Sequence, residues 1–196
     1  MKRIAVLLLL SLAAPWLASA QPVTYIIDSA HSSAQFSVRH MMVSNTKGEF
    51  SKVQGTIEYD ARNPAASKVE AVIDATTVNT REAKRDADLK GAEFFDVAKY
   101  PTIVFKSKQV TKSGDNLRVT GDLTIRNVTK EVVLTVEGPT PEVKDQRGRM
   151  KIGASAATKI NRKEFGLLYN QLIETGGVVV GDEVTITLDI EAARKQ

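Results

Sequence analysis

Alternation of apolar and polar residues dominates this chain beyond its first twenty residues. In the run 117–125 every second residue is apolar or glycine, the residues between are charged or hydroxylated, and the run 184–190 has the same pattern. A period of two places successive side chains on opposite faces of a β-strand, so each strand has one apolar and one wet face. Many such strands in one chain predict a closed antiparallel sheet whose interior holds an apolar ligand.

Turn signals such as Arg62-Asn63-Pro64 and Gly138-Pro139 divide the chain into strand candidates. The fold class expected is therefore all-β with one short helix. The predicted strands are 24–27, 35–40, 55–60, 68–75, 103–110, 116–126, 131–137, 149–157 and 183–192.

One segment breaks the two-residue period. Asn79, followed by Glu82, is a plausible helix cap, residues 81–90 are rich in helix formers, and Gly91 supplies a stop. Phe94, Phe95 and Tyr100 follow closely. The helix and these aromatic residues either plug one end of a barrel or pack on its outside, and periodicity does not separate the two.

The first twenty residues have the pattern of a secretory signal peptide. Lys2 and Arg3 form a charged start, residues 4–12 are apolar, and Ala18-Ser19-Ala20 is a small-residue cleavage site. The apolar run is shorter than the roughly 20 residues that span a bilayer. We therefore expect cleavage after Ala20, one domain over residues 21–196, and a location in the bacterial periplasm.

Composition narrows the function classes. The chain has no cysteine, which excludes disulfides, thiolate metal sites and a cysteine nucleophile. Removal of residues 1–20 takes away two of the 27 basic residues. The other 25 basic residues and the 23 acidic residues give a formal net charge of +2. That balance does not favour a nucleic acid partner.

Residues suited to chemistry are few. Asp28 and His31 lie near serines but without a nucleophile elbow, and two histidines nine positions apart fall short of a zinc ligand set. We therefore expect no metal, no cofactor and no catalysis, with Asp28 and His31 tying the first turn to the barrel rim. A second group of polar residues is read either as solvated surface or as a polar latch at a pocket mouth: Arg85, Asp86, Asn161 and Arg162.

Small residues occur at positions of inward parity where bulk is expected, among them Ala71, Gly121 and Ala154. They leave room for a ligand, ease the coiling of the strands, or oppose large residues across the core.

Several motifs follow one another in a familiar order: Phe36-x-Val38-x-His40, Gly48-x-Phe50, Arg85-Asp86-x-x-Leu89, Phe94-Phe95-Asp96, Ile160-Asn161-Arg162-x-x-Phe165-Gly166 and Gly181-Asp182-Glu183-Val184. In this order the chain resembles the bacterial YceI-like family of polyisoprenoid-binding proteins. The resemblance implies an extended lipocalin-like antiparallel barrel with an apolar tunnel that holds an isoprenoid-tailed or other long-chain lipid. It also implies a periplasmic protein without enzymatic activity, linked to quinones and to cytochrome b561-type membrane partners.

With this resemblance, the residues expected to bind the ligand are Phe36, Val38, His40, Phe50, Ala71, Phe94, Phe95, Ile103, Phe105, Gly121, Leu123, Ile125, Leu134, Ile152, Ala154 and Phe165. The expected assembly is a monomer or homodimer. Two alternatives remain: a lipid-modifying hydrolase or isomerase that uses Asp28, His31 and Arg85, and a stress-protective interaction protein.

Overall fold

The computed structural model describes residues 21–172 and 176–196, so the predicted export segment lies outside the described residues. Within these ranges the α-helix is α1 (Ala83–Lys90), and no helix is long and apolar enough to cross a membrane. The strands are β1 (Val23–Ile27), β2 (Ser33–His40), β3 (Ser44–Phe50), β4 (Val53–Tyr59), β5 (Lys68–Asp74), β6 (Val78–Asn79), β7 (Thr102–Ser113), β8 (Asn116–Ile125), β9 (Val128–Glu137), β10 (Val143–Lys144), β11 (Met150–Asn161) and β12 (Val180–Arg194).

The strands form a closed antiparallel barrel, as the alternation predicts. Eight strands make the ring in the order β11-β9-β8-β7-β5-β4-β1-β12, and an eleven-residue ladder between β11 and β12 closes it. Three further strands, β2, β3 and β6, continue the sheet beyond β12. The predicted fold class is confirmed.

The barrel is extended because two strands lie end to end along β12. Residues 192–194 of β12 pair with β1, and residues 180–189 pair with β2. The opposite edge of β12 pairs with β11 over nearly its whole length. The long strand β12 therefore pairs with three other strands, β1, β2 and β11.

Alternating burial follows the alternating sequence. The inward positions of β8 are buried from Leu117 to Ile125, with threonines and charged residues between them. In β7 the pairing with β8 steps from Ser107 to Gln109, so Lys108 is a bulge residue. Because this bulge shifts the parity by one, Val110 faces inward and is 2% exposed.

The structure has three strands outside the predicted ones, β3, β6 and β10, and a helix cap that differs from the prediction. Strand β3 was not predicted, since its residues are mostly polar, and Gly48 gives no apolar signal because the Phe36 ring occupies the space of its absent side chain. The helix begins at Ala83, and its cap is Glu82, whose carboxylate accepts hydrogen bonds from the Lys84 and Arg85 amides. Asn79 instead accepts a hydrogen bond from the Arg81 amide.

Candidate functional site

The barrel encloses an apolar cavity of about 240 Å³. Inward side chains from all eight strands of the ring form its wall, because the period of two places an apolar residue in the interior at every second position. Most of the lining is aliphatic or aromatic. The lining residues with polar side chains, apart from Tyr59, are Gln35, Ser67, Thr158 and Arg162.

The helix and the aromatic residues after it contribute one end of the cavity wall. Leu89, Phe94 and Phe95 all line the cavity. Phe95 meets Phe50 edge to face, with ring centroids 5.4 Å apart, and Phe94 lies 4.8 Å from the ring of Tyr169. Of the two expectations for this segment, the structure therefore agrees with the plug.

The predicted latch residues Arg85 and Asp86 fasten this helix to the chain before it. The Thr80 hydroxyl donates to Asp86 Oδ1 over 2.6 Å, and Arg85 Nε donates to the same hydroxyl over 2.8 Å. The Arg85 guanidinium also bonds the Thr80 carbonyl. Since Thr80 is buried, these contacts hold the plug in place rather than offering polar groups to a ligand.

Most residues proposed from the sequence as ligand contacts line the cavity. Their roles toward a ligand stay predictions, but their positions face the interior. They are Phe36, Val38, Phe50, Ala71, Phe94, Phe95, Ile103, Phe105, Leu123, Ile125, Leu134 and Ala154.

Four proposed contacts lie elsewhere. His40 pairs with Ser44 and Val180 at the far end of β2. Ile152 packs with Tyr25 and Ala192 in a second, smaller core cluster. The other two are Phe165, which is buried in the main core beside the cavity, and Gly121.

Gly121 corrects the interpretation of small inward residues. A Cβ atom built there would lie 2.5 Å from the Lys106 carbonyl oxygen and 2.6 Å from the Phe105 ring. The glycine therefore makes room for Phe105, not for a ligand. Ala71 and Ala154, by contrast, do line the cavity.

Asp28 and His31 belong to an ionic cluster that does not line the cavity. His31 Nδ1 and Lys151 Nζ each lie 3.1 Å from Asp28 Oδ2, and Lys151 also bonds Glu191. Burial opposes the shift, but hydrogen bonds from His31 and Lys151 lower the pKa of Asp28, and bonds to Glu191 and Asp28 raise the pKa of Lys151. The cluster ties the end of β1 to β11 and β12.

The carboxylates of Asp28 and Glu191 and the imidazole of His31 come close enough to resemble a metal site. The Lys151 ammonium, however, bonds both carboxylates, so the positive charge that balances them comes from this lysine. Arg85, the third member of the hydrolase or isomerase hypothesis, is bound to Thr80 beside the helix. The structure thus brings Asp28 and His31 together but holds Arg85 in a different contact.

Arg162 is buried, contrary to the expectation of a solvated group. It is 5% exposed, lines the cavity, and donates to the backbone carbonyls of Leu167, Val180 and Gly181. Burial lowers its pKa. The neighbouring Asn161 caps the short 3-10 turn by accepting from the Lys163 amide. These two residues hold the turn after β11 and the beginning of β12.

The sequence pattern also marks cavity residues that are not among the expected ligand contacts. The alternation of residues 184–190 marks one face of β12 as apolar, and that face lines the cavity with Val184, Ile186, Leu188 and Ile190. Val180 and Leu167, next to the Arg162 contacts, are additional lining residues without such a pattern.

Comparison with known proteins gives one family. The YceI-like domain matches residues 25–192. A UPF0312 protein of Staphylococcus aureus (strain N315) is 34% identical over 167 residues, which cover 85% of this chain and 95% of the relative.

Two solved structures have the same fold. The YCEI protein of Campylobacter jejuni is 31% identical, with a TM-score of 0.67 over 81% of this chain and 90% of that one. A polyisoprenoid binding domain from Saccharophagus degradans, implicated in plant cell wall breakdown, shares 14% identity, with a TM-score of 0.62 over 88% of this chain and 99% of that one. The extent of the family match, together with the close relatives, shows that this chain belongs to the YceI-like family.

Proposed function

We propose that this protein binds an isoprenoid-tailed or similar long-chain lipid inside its barrel. The observation that carries the proposal is the cavity itself, whose wall is built from inward aliphatic and aromatic side chains of the ring. An apolar wall makes few hydrogen bonds with water, so little free energy is lost when an apolar tail displaces that water. The polyisoprenoid binding domain of Saccharophagus degradans supports the proposal at the level of the fold.

The cavity volume sets the length of tail that fits. An engineered cavity of about 150 Å³ accepts benzene, so 240 Å³ corresponds to about ten carbon atoms. Burial of ten methylene groups at about 0.8 kcal/mol each contributes about 8 kcal/mol before ordering costs. In this state the barrel therefore accommodates about two isoprene units, and a longer tail extends out of it.

The proposal also includes the cell compartment in which the protein acts. The signal-peptide pattern of residues 1–20 supports export to the periplasm, where a lipid carrier exchanges cargo with a membrane. A quinone and a cytochrome b561-type membrane protein are the proposed cargo and partner, on the strength of the family resemblance. Amino-terminal sequencing of the periplasmic fraction tests the location, and the expected first residue is Gln21.

Native mass spectrometry of the protein purified from its own host tests the binding function. We expect a bound species whose mass matches one lipid, released by organic solvent. A graded series of isoprenols should then bind with an affinity that rises steeply up to about two isoprene units and less steeply beyond. Affinity that is independent of tail length would contradict an apolar interior site.

A further inference from the structure

The seam between β9 and β11 is one of two in the ring with only three register pairs; at the other, between β1 and β12, the edge of β12 continues as a ladder with β2. Nine residues of β9 pair with β8, but only three pair with β11, at 135–137 against 155–157. Toward its start β11 pairs with β10 instead, at Lys151 and Met150, and the segment 138–142 joins β9 to β10 along this edge of β11. We name residues 138–142 the strap.

A few polar contacts hold the strap. The Thr140 amide donates to the Gly153 carbonyl over 2.8 Å, and the Gly153 amide donates to Thr140 Oγ1 over 3.0 Å. The Glu142 carboxylate accepts from the Tyr25 hydroxyl over 2.9 Å and from Arg194 Nε over 3.0 Å. Water can replace such contacts when the strap moves, whereas opening a full ladder would expose a row of backbone groups.

The strap lies between the cavity and a groove on the outside of the barrel. Pro139 lines the cavity, while its neighbours Gly138 and Thr140 line an open groove on the outside of the barrel. Ala154 and Ile190 line both spaces. The partition between interior and groove is therefore a single layer, formed by the strap and the adjoining backbone of β11 and β12.

We propose that the strap is a gate and that the lipid enters and leaves the barrel sideways, between the strap and β11. This inference rests on the proposed lipid-binding function and adds the route of exchange. The other end of the barrel is filled by the plug residues Phe94 and Phe95, whose aromatic contacts are closely packed. A lateral gate also explains how a tail longer than the cavity remains partly outside without displacing the plug.

The test locks the strap with a disulfide in the double variant Thr140→Cys, Gly153→Cys. An ideal Cβ at Gly153 lies 3.9 Å from both Oγ1 and Cγ2 of Thr140, within reach of a disulfide after small adjustments. The chain has no cysteine of its own, so the bond formed is unambiguous. The same variant in its reduced form is the matched control.

The probe is cis-parinaric acid, whose fluorescence rises in apolar surroundings, followed by stopped flow and by equilibrium titration. We expect the oxidised variant to take up the probe at least tenfold more slowly than the reduced variant. The single variant Glu142→Gln, which weakens the contacts to Tyr25 and Arg194, should exchange the probe severalfold faster than the wild type. A second lock, Glu49→Cys with Asn79→Cys, joins register partners of β3 and β6 and should leave the rate unchanged.

Equal rates for the oxidised and reduced strap variants, with binding intact, would overturn the gate and leave the binding function standing. Slowing by the β3–β6 lock alone would place the entrance at the plug and would also overturn it. If the wild type itself gives no fluorescence rise, the lipid-binding proposal fails, and the route fails with it.

Discussion

The substitution Ala156→Phe tests the cavity most directly, because the chain offers a matched control in the next residue. Ala156 lines the cavity and pairs with Val136 and Leu188 across the two neighbouring strands. Ala157 lies on the opposite, exposed face of β11. Ala157→Phe therefore adds the same ring one position along the strand, but outside the barrel.

The size of the effect follows from the cavity volume. A cavity of about 150 Å³ accepts benzene, so a phenyl ring at position 156 removes more than half of the 240 Å³. Room for about six carbon atoms is lost, which is about 5 kcal/mol of gross burial at about 0.8 kcal/mol per methylene. The upper limit of the loss in affinity is therefore about three orders of magnitude.

The assay is a fluorescence titration with cis-parinaric acid, combined with urea unfolding of both variants. Because the ring enters open space, Ala156→Phe should lower the free energy of unfolding by no more than the about 1–3 kcal/mol typical of overpacking. Ala157→Phe should bind the probe like the wild type. If Ala156→Phe is folded and also binds like the wild type, the ligand does not occupy this cavity.

Three further predictions concern stability. Gly121→Ala should lower the free energy of unfolding in urea by about 1–3 kcal/mol, because its Cβ would lie 2.5 Å from the Lys106 carbonyl oxygen and 2.6 Å from the Phe105 ring. Arg162→Met should cost about 3 kcal/mol in thermal or urea unfolding, because buried carbonyls lose a charged donor, and Arg162→Lys should restore only part of it. The pKa of Asp28 is lowered in the folded protein. As the pH decreases below about 4, the unfolded chain therefore binds more protons than the folded protein, and the free energy of unfolding decreases. Asp28→Asn should flatten that fall in urea titrations at a series of pH values, and an unchanged pH dependence would contradict the lowered pKa.

The barrel was predictable because its signal is local. The period of two over residues 117–125 places β8 within one residue of its observed bounds, Asn116–Ile125, and the same period indicates which side chains face inward. Strand β3 has no such signal, since it forms by pairing with β2 and leaves mostly polar residues exposed. Pairing between distant strands is a tertiary property that local periodicity does not encode.

The candidate site was predictable to a similar depth. Inward parity predicts cavity residues such as Leu123 and Ala154. Parity does not show what occupies the space beside a small residue, so the prediction that Gly121 contacts a ligand is wrong. The burial of Arg162 could not be foreseen either, because its partners are backbone carbonyls, which every residue carries. The Gly138-Pro139 turn signal marks the end of β9, but it does not show that the strap lies along β11 where β9 and β11 stop pairing.

The long strand β12 has a consequence for the order of events during folding. It follows all other described strands along the chain, yet it supplies the partner edge for β1, β2 and β11. A nascent chain that reaches only residue 179 thus has three unpaired strand edges and an open interior, and these contacts of large sequence separation slow folding. Barrel closure must wait until residues 180–194 are available, so the chain stays unclosed, without its apolar cavity, until this strand has been synthesised.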